Sequence, residues 1–227
     1  MKTSRLSLRM LMLLAADIAL VALEFLVLQD TWRSSGTNML RYYTHDSNLF
    51  ALAVSFICAL STVYSLISGK KPHRLLKSLR LTAASGLMVT FLVCIFILGP
   101  LNGGPSISLY IAEIRSSMLE GSGLYLHTVC PLLLCFSFLF LEDAASLPRS
   151  HALLILPSTI LYGAVTLFNN YTRAYSGPYP FFHVYRQPAY MTALWCVLIL
   201  LGAWLISLGV LRLNRLIGKT GRPSGKG

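Results

Sequence analysis

Six apolar stretches, each about long enough to cross a bilayer as a helix, alternate with short polar connections along this chain. A hydrocarbon core of roughly 30 Å requires about 20 apolar residues in helical form. The pattern therefore predicts an all-α, polytopic membrane protein with a bundle of six transmembrane helices. The fifth stretch is the shortest and contains Pro157, so we expect a kink there. The predicted spans are residues 10–28, 48–67, 80–98, 124–141, 152–168 and 190–211.

Basic residues are distributed unevenly among the connections. Most of the 19 lysines and arginines lie near the N-terminus, in the connection from Lys70 to Arg80, at Arg149 and in the C-terminal tail. Because Lys and Arg accumulate on the cytoplasmic side of membrane proteins, this distribution predicts that both termini are cytoplasmic. We expect residues 1–211 to form one transmembrane domain and residues 212–227 to form a basic, disordered cytoplasmic tail.

The composition agrees with membrane insertion and argues against other classes. Hydrophobic residues make up 55% of the chain and charged residues 12%, outside the range of soluble domains. The net charge of +11 also occurs in nucleic-acid-binding proteins, but these cations flank helices, where anionic headgroups attract them. We therefore expect the bilayer, and no nucleic acid, as a partner. The five cysteines lie in apolar runs without a CxxC pair, so we expect no disulfide framework, metal or cofactor.

Polar residues that lipid would reject collect at one predicted depth. With both termini inside, the first helix runs outward and carries Glu24 in its outer half. Thr44, Asp46 and Asn48 begin the second span, and His127 begins the fourth. Both of these spans start on the outer side. Because ionisable side chains in membrane helices face the bundle interior, we expect a polar pocket near the outer leaflet.

Each of these residues also has a structural explanation that the sequence leaves open. Thr44 or Asp46 would serve as an N-cap of the second span, a position that Thr and Asp favour. His127 would be an ordinary interfacial histidine near a helix end. Asp17 and Glu24 would be hydrogen-bond partners inside the bundle, and for Asp17 we prefer this interpretation.

A threonine and a histidine at equal depth can also act as nucleophile and general base. An alcohol requires a neighbouring base to accept its proton, and imidazole titrates near neutral pH. Thr44 and His127 are therefore the candidate catalytic pair. Asn48, one turn after Thr44, is a candidate to orient the hydroxyl or to stabilise an oxyanion. Glu24 or Asp46 is a candidate to orient the imidazole.

Three short segments resemble, in order and approximate spacing, the androgen-induced and ADTRP-like family of membrane proteins. The resemblance extends over residues from about 38 to 200 and implies a multi-span threonine hydrolase that cleaves fatty acid esters of hydroxy fatty acids. It implies Thr44 as the nucleophile and His127 as the base, with a lipid ester as the substrate. His45 and Asp46 are an unusual continuation after the threonine. The matching segments are 41–48 (RYYTHDSN), 126–131 (LHTVCP) and 179–181 (YPF).

Two predicted outer connections are suited to a lipid-handling site. Residues 107–119 have apolar positions at helical spacing, which predicts a helix that lies in the interface and serves as a lid. Residues 169–189 are rich in Tyr and Phe, and we interpret them as an aromatic belt. Tyr179 and Pro180 are exceptions, because they belong to the segments that carry the resemblance. They are therefore candidate substrate-binding residues.

Two other classes of function remain open on the sequence alone. A transporter would use Asp17 and Glu24 as ion or proton sites and would need a polar path across the bundle. A non-enzymatic membrane protein would need none of these residues for chemistry. A haem protein is disfavoured, because the five histidines supply no pair at matched depth in the middle of the membrane.

Overall fold

In the computed structural model, which describes residues 2–70 and 72–220, the chain folds into helices joined by short connections. We number its α-helices in chain order. They are α1 (Lys2–Ser35), α2 (Tyr43–Ser68), α3 (Arg74–Val93), α4 (Gly99–Gly103), α5 (Ile107–Met118), α6 (Gly121–Gly123), α7 (Cys130–Leu141), α8 (Leu156–Tyr171) and α9 (Ala189–Thr220).

Six helical segments among the described residues are long and apolar enough to cross a membrane, as in a multi-pass membrane protein. The six predicted spans are thereby confirmed, although each helix extends beyond the apolar run that predicted it. The extension has a simple cause, since polar residues at the end of a span still form helix while the backbone hydrogen bonds continue. Spans 1 to 6 are Leu8–Arg41, Tyr43–Ser68, Arg74–Gly103, Gly121–Leu141, Arg149–Tyr171 and Ala189–Gly218.

The main core is formed where spans 1 to 4 and span 6 meet. Leu20, Leu81, Leu87, Leu134 and Phe138 are completely buried in one apolar cluster. Span 3 is the most buried of the six and lies at the centre of the bundle. Packing at this density fixes the relative positions of the spans, and with them the side chains at their ends.

Span 5 lies at the edge of the bundle and is built in two parts. A 3₁₀ helix from Arg149 to Ile155 leads into α8, and Pro157 occupies the first turn of α8. The missing N–H of proline costs nothing there, because the first amides of an α-helix have no intrahelical acceptor. The expected irregularity is therefore a change of helix type immediately before Pro157. Cavities open on both sides of this span.

The predicted helix between spans 3 and 4 is present as α5, which packs closely on the end of span 3. A Cβ atom at Gly103 would lie 2.7 Å from the Cα of Tyr110, so only glycine allows this approach. Thr128 in span 4 donates a hydrogen bond of 2.7 Å to the carbonyl of Met118 at the end of the helix. These contacts hold α5 against the end of span 3 and the start of span 4.

The C-terminal helix continues past the predicted end of the membrane domain. The prediction of a disordered tail from residue 212 is wrong for the residues as far as Thr220, which are helical, and residues 221–227 lie outside the described part. Asn214 gives the reason, because its amide donates 2.7 Å hydrogen bonds to the carbonyls of Phe138 and Glu142 at the end of span 4. These bonds attach the extended part of α9 to the end of span 4.

The start of span 1 and the end of span 6 lie at the same end of the bundle. Arg9, near the start of span 1, donates a 2.9 Å hydrogen bond to the carbonyl of Leu141. Asn214, near the end of span 6, bonds to the same terminus of span 4. Thr44 and His127 lie near the starts of spans 2 and 4, and therefore at the opposite end.

The aromatic connection between spans 5 and 6 folds into the bundle. Tyr179, Phe181 and Phe182 are buried in a cluster with side chains from spans 2, 3, 5 and 6. The interpretation of this connection as an aromatic belt is wrong for Phe181 and Phe182, because a belt would leave their rings at the surface. The insertion of the segment brings Tyr179 to the start of span 2.

Candidate functional site

Thr44 lies in the first turn of span 2 and is only 6% exposed. The N-cap of this helix is Tyr42, and no side chain caps it, so neither Thr44 nor Asp46 acts as the cap. The Thr44 carbonyl accepts hydrogen bonds from Ser47 (2.9 Å) and from Asn48 (2.7 Å). The Thr44 backbone is thus held firmly, while its side chain lines a cavity.

His127 lies in a π-helical segment, Leu124–Val129, within span 4. Its Nδ1 atom is 3.6 Å from the Sγ atom of Cys94, which begins a second π-helical segment, Cys94–Leu98, in span 3. A π turn inserts an extra residue and redirects the side chains that follow, and such turns are frequent at functional sites. The irregular turns of both spans meet at this histidine.

Thr44 and His127 line the same two cavities. One cavity, of about 250 Å³, is almost entirely apolar and lies between spans 2, 3, 5 and 6. The other, of about 590 Å³, is more polar and lies under α5. The residues common to both cavities are Thr44, Cys94, Leu98, His127 and Tyr179. The threonine and the histidine therefore occupy the boundary between an apolar and a polar compartment.

The polar cavity is bounded by carboxylates and hydroxyls from α5 and the turns beside it. Glu113 accepts a 3.2 Å hydrogen bond from Asn102. Glu120 forms an ion pair of 2.8 Å with Arg115, whose side chain is exposed. No lysine or arginine is among the described residues that line either of the two cavities. This compartment therefore has no cation placed to bind an anionic group.

Tyr179 is held rigidly between other aromatic rings beside Thr44. Its ring stacks on Phe181 at 5.3 Å and meets Tyr162 edge-on at 6.2 Å. Burial raises the pKa of Tyr179 to about 12, although contacts with the side chain and backbone of Thr44 act in the opposite direction. Since a phenol with this pKa stays protonated near neutral pH, Tyr179 is a hydrogen-bond donor at the cavity.

Asn48 lies behind the cavities. Its amide donates to the Thr44 carbonyl and, at 3.4 Å, to the carbonyl of Leu126, the residue before His127. It is completely buried and lines neither cavity that Thr44 and His127 share. The predicted role as oxyanion donor is therefore wrong for geometric reasons. Asn48 instead connects the backbones of Thr44 and the histidine-bearing turn.

The structure does not bring Glu24, Asp46 and Pro180 to the shared cavities. Glu24 is completely buried, and neither of its carboxyl oxygens has a hydrogen-bond partner among the described residues. Asp46 lines a separate cavity of about 350 Å³ between spans 2, 3 and 5. Pro180 is exposed. The predicted role of Glu24 or Asp46 as the partner of the imidazole is not realised, because the contact of His127 is Cys94.

Asp17 forms a buried ion pair with Arg80. Two bonds, of 2.7 and 2.8 Å, join the guanidinium to the carboxylate, and a third of 3.0 Å joins it to Ser137. Arg80 is 1% exposed, so it lies inside the bundle and not at the surface with the cations that precede it. An apolar environment favours such pairing over exposure of either charge. Asp17 lines none of the cavities described here, which argues against an ion site at this residue.

Cys94 and Glu113 are the site residues that sequence reasoning missed. Cys94 is one cysteine among five in apolar runs, and only the fold shows that it alone contacts the candidate histidine. Glu113 lies on the predicted lid helix, but helical spacing does not show which side faces a cavity. Among the described residues, no group of three or more His, Cys, Asp or Glu side chains could hold a metal ion.

Comparison with protein-family models, curated proteins and solved structures found no match for this chain. The fold and the cavities define a six-span helical bundle of membrane type with a candidate hydroxyl–imidazole site at one end.

Proposed function

We propose that this protein is a membrane-embedded lipid-ester hydrolase with Thr44 as nucleophile and His127 as general base. The observation that supports it most is that a threonine, a histidine and a tyrosine from separate parts of the chain line the same pair of cavities. One cavity suits an acyl chain, and the other suits water and a polar leaving group. The order of the three matching segments along the chain supports the same assignment.

The first half of the reaction forms an acyl-threonine. His127 accepts the hydroxyl proton of Thr44 as the oxygen attacks the ester carbonyl carbon, which produces a tetrahedral oxyanion. The intermediate collapses, the bond to the leaving oxygen breaks, and protonated His127 gives its proton to that oxygen. In the second half, His127 deprotonates a water molecule that attacks the acyl-threonine. The second tetrahedral intermediate collapses, the bond between the acyl carbon and the Thr44 oxygen breaks, and protonated His127 returns its proton to that oxygen as the carboxylic acid is released.

Cys94 holds the imidazole in the orientation that this role requires. With the proton on Nδ1, the ring donates to the Cys94 sulfur 3.6 Å away, and Nε2 keeps the lone pair of a base. A sulfur acceptor is weak, so Cys94 fixes the ring without adding the negative charge of a carboxylate. The hydroxyl and the imidazole share no direct hydrogen bond in the described structure. Catalytic hydrogen bonds often form only when substrate is bound.

Two groups near Thr44 stabilise the oxyanion. The phenol of Tyr179 is a protonated donor, and Tyr179 lines the same two cavities as Thr44. The amide of Thr44 lies in the first turn of α2, where a backbone N–H has no intrahelical acceptor. The positive end of the helix dipole adds to the effect of both donors.

The cavity lining favours an ester whose polar part carries no negative charge. Glu113 lines the polar cavity without a cationic partner among the described residues, and the charge of Arg115 is already paired with Glu120, so a free carboxylate would bind there unfavourably. We therefore expect neutral long-chain esters to be cleaved faster than fatty acid esters of hydroxy fatty acids, the substrates that the resemblance implies. The acyl chain reaches the apolar cavity laterally from the membrane, beside span 5.

The proposed orientation places the site near the outer leaflet. Most of the basic residues cluster at the bundle end that carries the termini. Because Lys and Arg accumulate on the cytoplasmic side of membrane proteins, we assign that end to the cytoplasm. Helix α5 then lies at the outer surface as a lid over the polar cavity.

The test is hydrolysis by the purified full chain in lipid nanodiscs. The assay compares a neutral long-chain glycerol ester with a fatty acid ester of a hydroxy fatty acid, in the wild type and in the variants Thr44→Ala and His127→Ala. We expect turnover in the wild type and its loss in both variants, with unchanged thermal unfolding. Cys94→Ala separates the proposal from the alternative in which Cys94 is the nucleophile. Activity that persists in Thr44→Ala and disappears in Cys94→Ala would contradict the proposal.

A further inference from the structure

A polar cavity of about 290 Å³ opens between the end of span 5 and the start of span 6, away from the proposed catalytic site. It is formed by the turn after α8 and by the connection that follows. Its lining has two arginines and a histidine but no acidic side chain. The lining residues are Asn170, Arg173, Tyr175, Ser176, His183, Tyr185 and Arg186.

The positive charge around this cavity has no acidic partner. Neither Arg173 nor Arg186 forms an ion pair with a described residue. A third guanidinium lies nearby: that of Arg41 is 4.7 Å from the centre of the Tyr175 ring. Tyr175 itself lines the cavity. Because these guanidinium groups have no acidic partner among the described residues, an anion bound in the cavity would compensate their charge.

The cavity is also pre-formed. The Arg173 guanidinium lies 4.6 Å from the centre of the Tyr185 ring, and the Tyr185 hydroxyl donates a 2.6 Å hydrogen bond to the carbonyl of Tyr171. Arg173 is the described non-glycine residue with positive φ, at 59°, a conformation that side chains rarely adopt. The side chain of the buried Asn170 accepts a 3.0 Å hydrogen bond from the amide of Val184, which joins the end of α8 to the later part of the connection.

The position at the ends of two spans identifies the source of the anion. The cavity lies at the level where the apolar surface of the bundle ends, and Phe168, Tyr171 and Tyr190 beside it are largely exposed. Aromatic side chains of this kind lie at the boundary between acyl chains and headgroups. A phosphate bound by the arginines would therefore have its acyl chains next to exposed apolar rings.

We propose that this cavity binds the phosphate of an anionic membrane phospholipid. Arg173 and Arg186 bind the phosphate oxygens through their planar guanidinium groups, and the acyl chains of the lipid lie along spans 5 and 6. The proposal is independent of the proposed hydrolase activity, since none of these residues lines the catalytic cavities.

The experiment measures lipid retention by the full chain. The purified protein in neutral detergent is titrated with phosphatidylglycerol, with phosphatidylcholine and with inorganic phosphate, and bound lipid is counted by native mass spectrometry. We expect phosphatidylglycerol to bind at least about tenfold more tightly than phosphatidylcholine, because both carry phosphate but only the former has net negative charge. Equal binding of the two lipids would overturn the proposal. So would binding of inorganic phosphate as tight as that of phosphatidylglycerol.

Variants locate the site. In Arg173→Gln/Arg186→Gln the preference for phosphatidylglycerol should disappear, whereas Arg33→Gln/Arg149→Gln, a control with the same change in charge at exposed positions elsewhere, should keep it. The variant Arg173→Lys/Arg186→Lys preserves charge in case the glutamines disturb folding. It should bind with intermediate affinity, because lysine lacks the forked donor geometry. A preference that survives in the glutamine variant, or is lost in the control, would overturn the assignment.

Discussion

Two buried polar clusters in the same bundle differ in what surrounds them. In the first, Arg80 donates hydrogen bonds to Asp17 and to Ser137, and all three residues are buried. In the second, Thr44 and His127 share two cavities and have no direct hydrogen bond with each other in the described structure. Both clusters consist of residues that lipid would reject, and both lie inside the bundle.

The comparison shows that buried polarity alone does not identify a functional site. A buried charge pair whose two members contact each other and whose surroundings are filled stabilises the relative positions of helices. A hydroxyl and an imidazole beside empty space keep their chemistry available to a ligand. The two clusters therefore predict opposite outcomes on mutation: lost stability with intact chemistry in one, and lost chemistry with intact stability in the other.

The largest expected effect is that of Thr44→Ala on hydrolysis. Because the variant lacks the nucleophile, turnover should fall by about 10⁴-fold or more, while thermal unfolding changes little. Ester hydrolysis and thermal unfolding in nanodiscs measure the two quantities. Thr62→Ala is the matched control, since Thr62 is a buried threonine of the same helix whose hydroxyl bonds to the carbonyl of Cys58 at 2.9 Å. Equal losses of activity in the two variants would remove the distinction between the clusters.

The next effect is on stability. Replacing Asp17 by Asn leaves the Arg80 charge buried and unpaired, which should lower the free energy of unfolding by about 3–5 kcal/mol. Turnover per folded molecule should remain close to that of the wild type. Denaturant unfolding together with active-site titration separates the two quantities. The double variant Asp17→Leu/Arg80→Met should be less destabilised than Asp17→Asn, because it removes both charges. A loss of turnover without a loss of stability would place Asp17 in the chemistry.

A smaller effect on rate is expected for Tyr179→Phe. Loss of one oxyanion donor should reduce kcat by about 10²-fold and leave KM nearly unchanged. Tyr190→Phe, a change at an exposed tyrosine in span 6, is the control and should have no effect. If Tyr179→Phe raises KM at constant kcat, Tyr179 contributes to substrate binding and not to the oxyanion site.

The pH dependence tests the same tyrosine. Because the pKa of Tyr179 is raised to about 12, its phenol remains a donor below that pH, and any benefit of this donor is lost only as the pH rises through the folded value. Activity should therefore stay level from roughly pH 9 to pH 10, where an ordinary phenol begins to ionise. Rates measured over this range in the wild type and in Tyr179→Phe provide the check. A fall near pH 10 that is absent from the variant would contradict the assigned donor.

The smallest effect is expected at Cys94. If this thiol only orients His127, Cys94→Ala should lower kcat by about tenfold, and Cys94→Ser should recover part of the loss because its hydroxyl can accept the same hydrogen bond. The pH profile of kcat should shift in the alanine variant. Cys135→Ala, a change at another buried cysteine that lines neither shared cavity, is the control. A loss in Cys94→Ala as large as that in Thr44→Ala would assign the nucleophile to the sulfur.

The sequence predicted the six spans because hydropathy over about 20 residues depends little on tertiary contacts. The ends of the helices were less predictable. Asn214 belongs to a helix because its amide satisfies carbonyls in another span, and a local pattern carries no such information. Arg80 follows a run of cations and resembles them in sequence, although its partner Asp17 is more than sixty residues away along the chain.

The candidate site was predictable only in part. Thr44 and His127 could be paired from sequence because both begin spans on the same side, so that depth alone brings them near each other. Cys94 could not be assigned to the site from sequence, because its contact with His127 depends on π turns in two spans. The role of Tyr179 depends on the insertion of its connection into the bundle, and aromatic composition does not distinguish an inserted segment from a surface belt.

The most direct test of the central claim is to locate the covalent adduct after the purified chain reacts with a long-chain fluorophosphonate. Attack of the Thr44 oxygen on phosphorus, with His127 accepting the proton and fluoride leaving, should place one phosphonate on the peptide that contains Thr44. Tandem mass spectrometry should find this adduct in the wild type and not in Thr44→Ala or His127→Ala. An adduct on another residue, or labelling that survives in Thr44→Ala, would contradict the account.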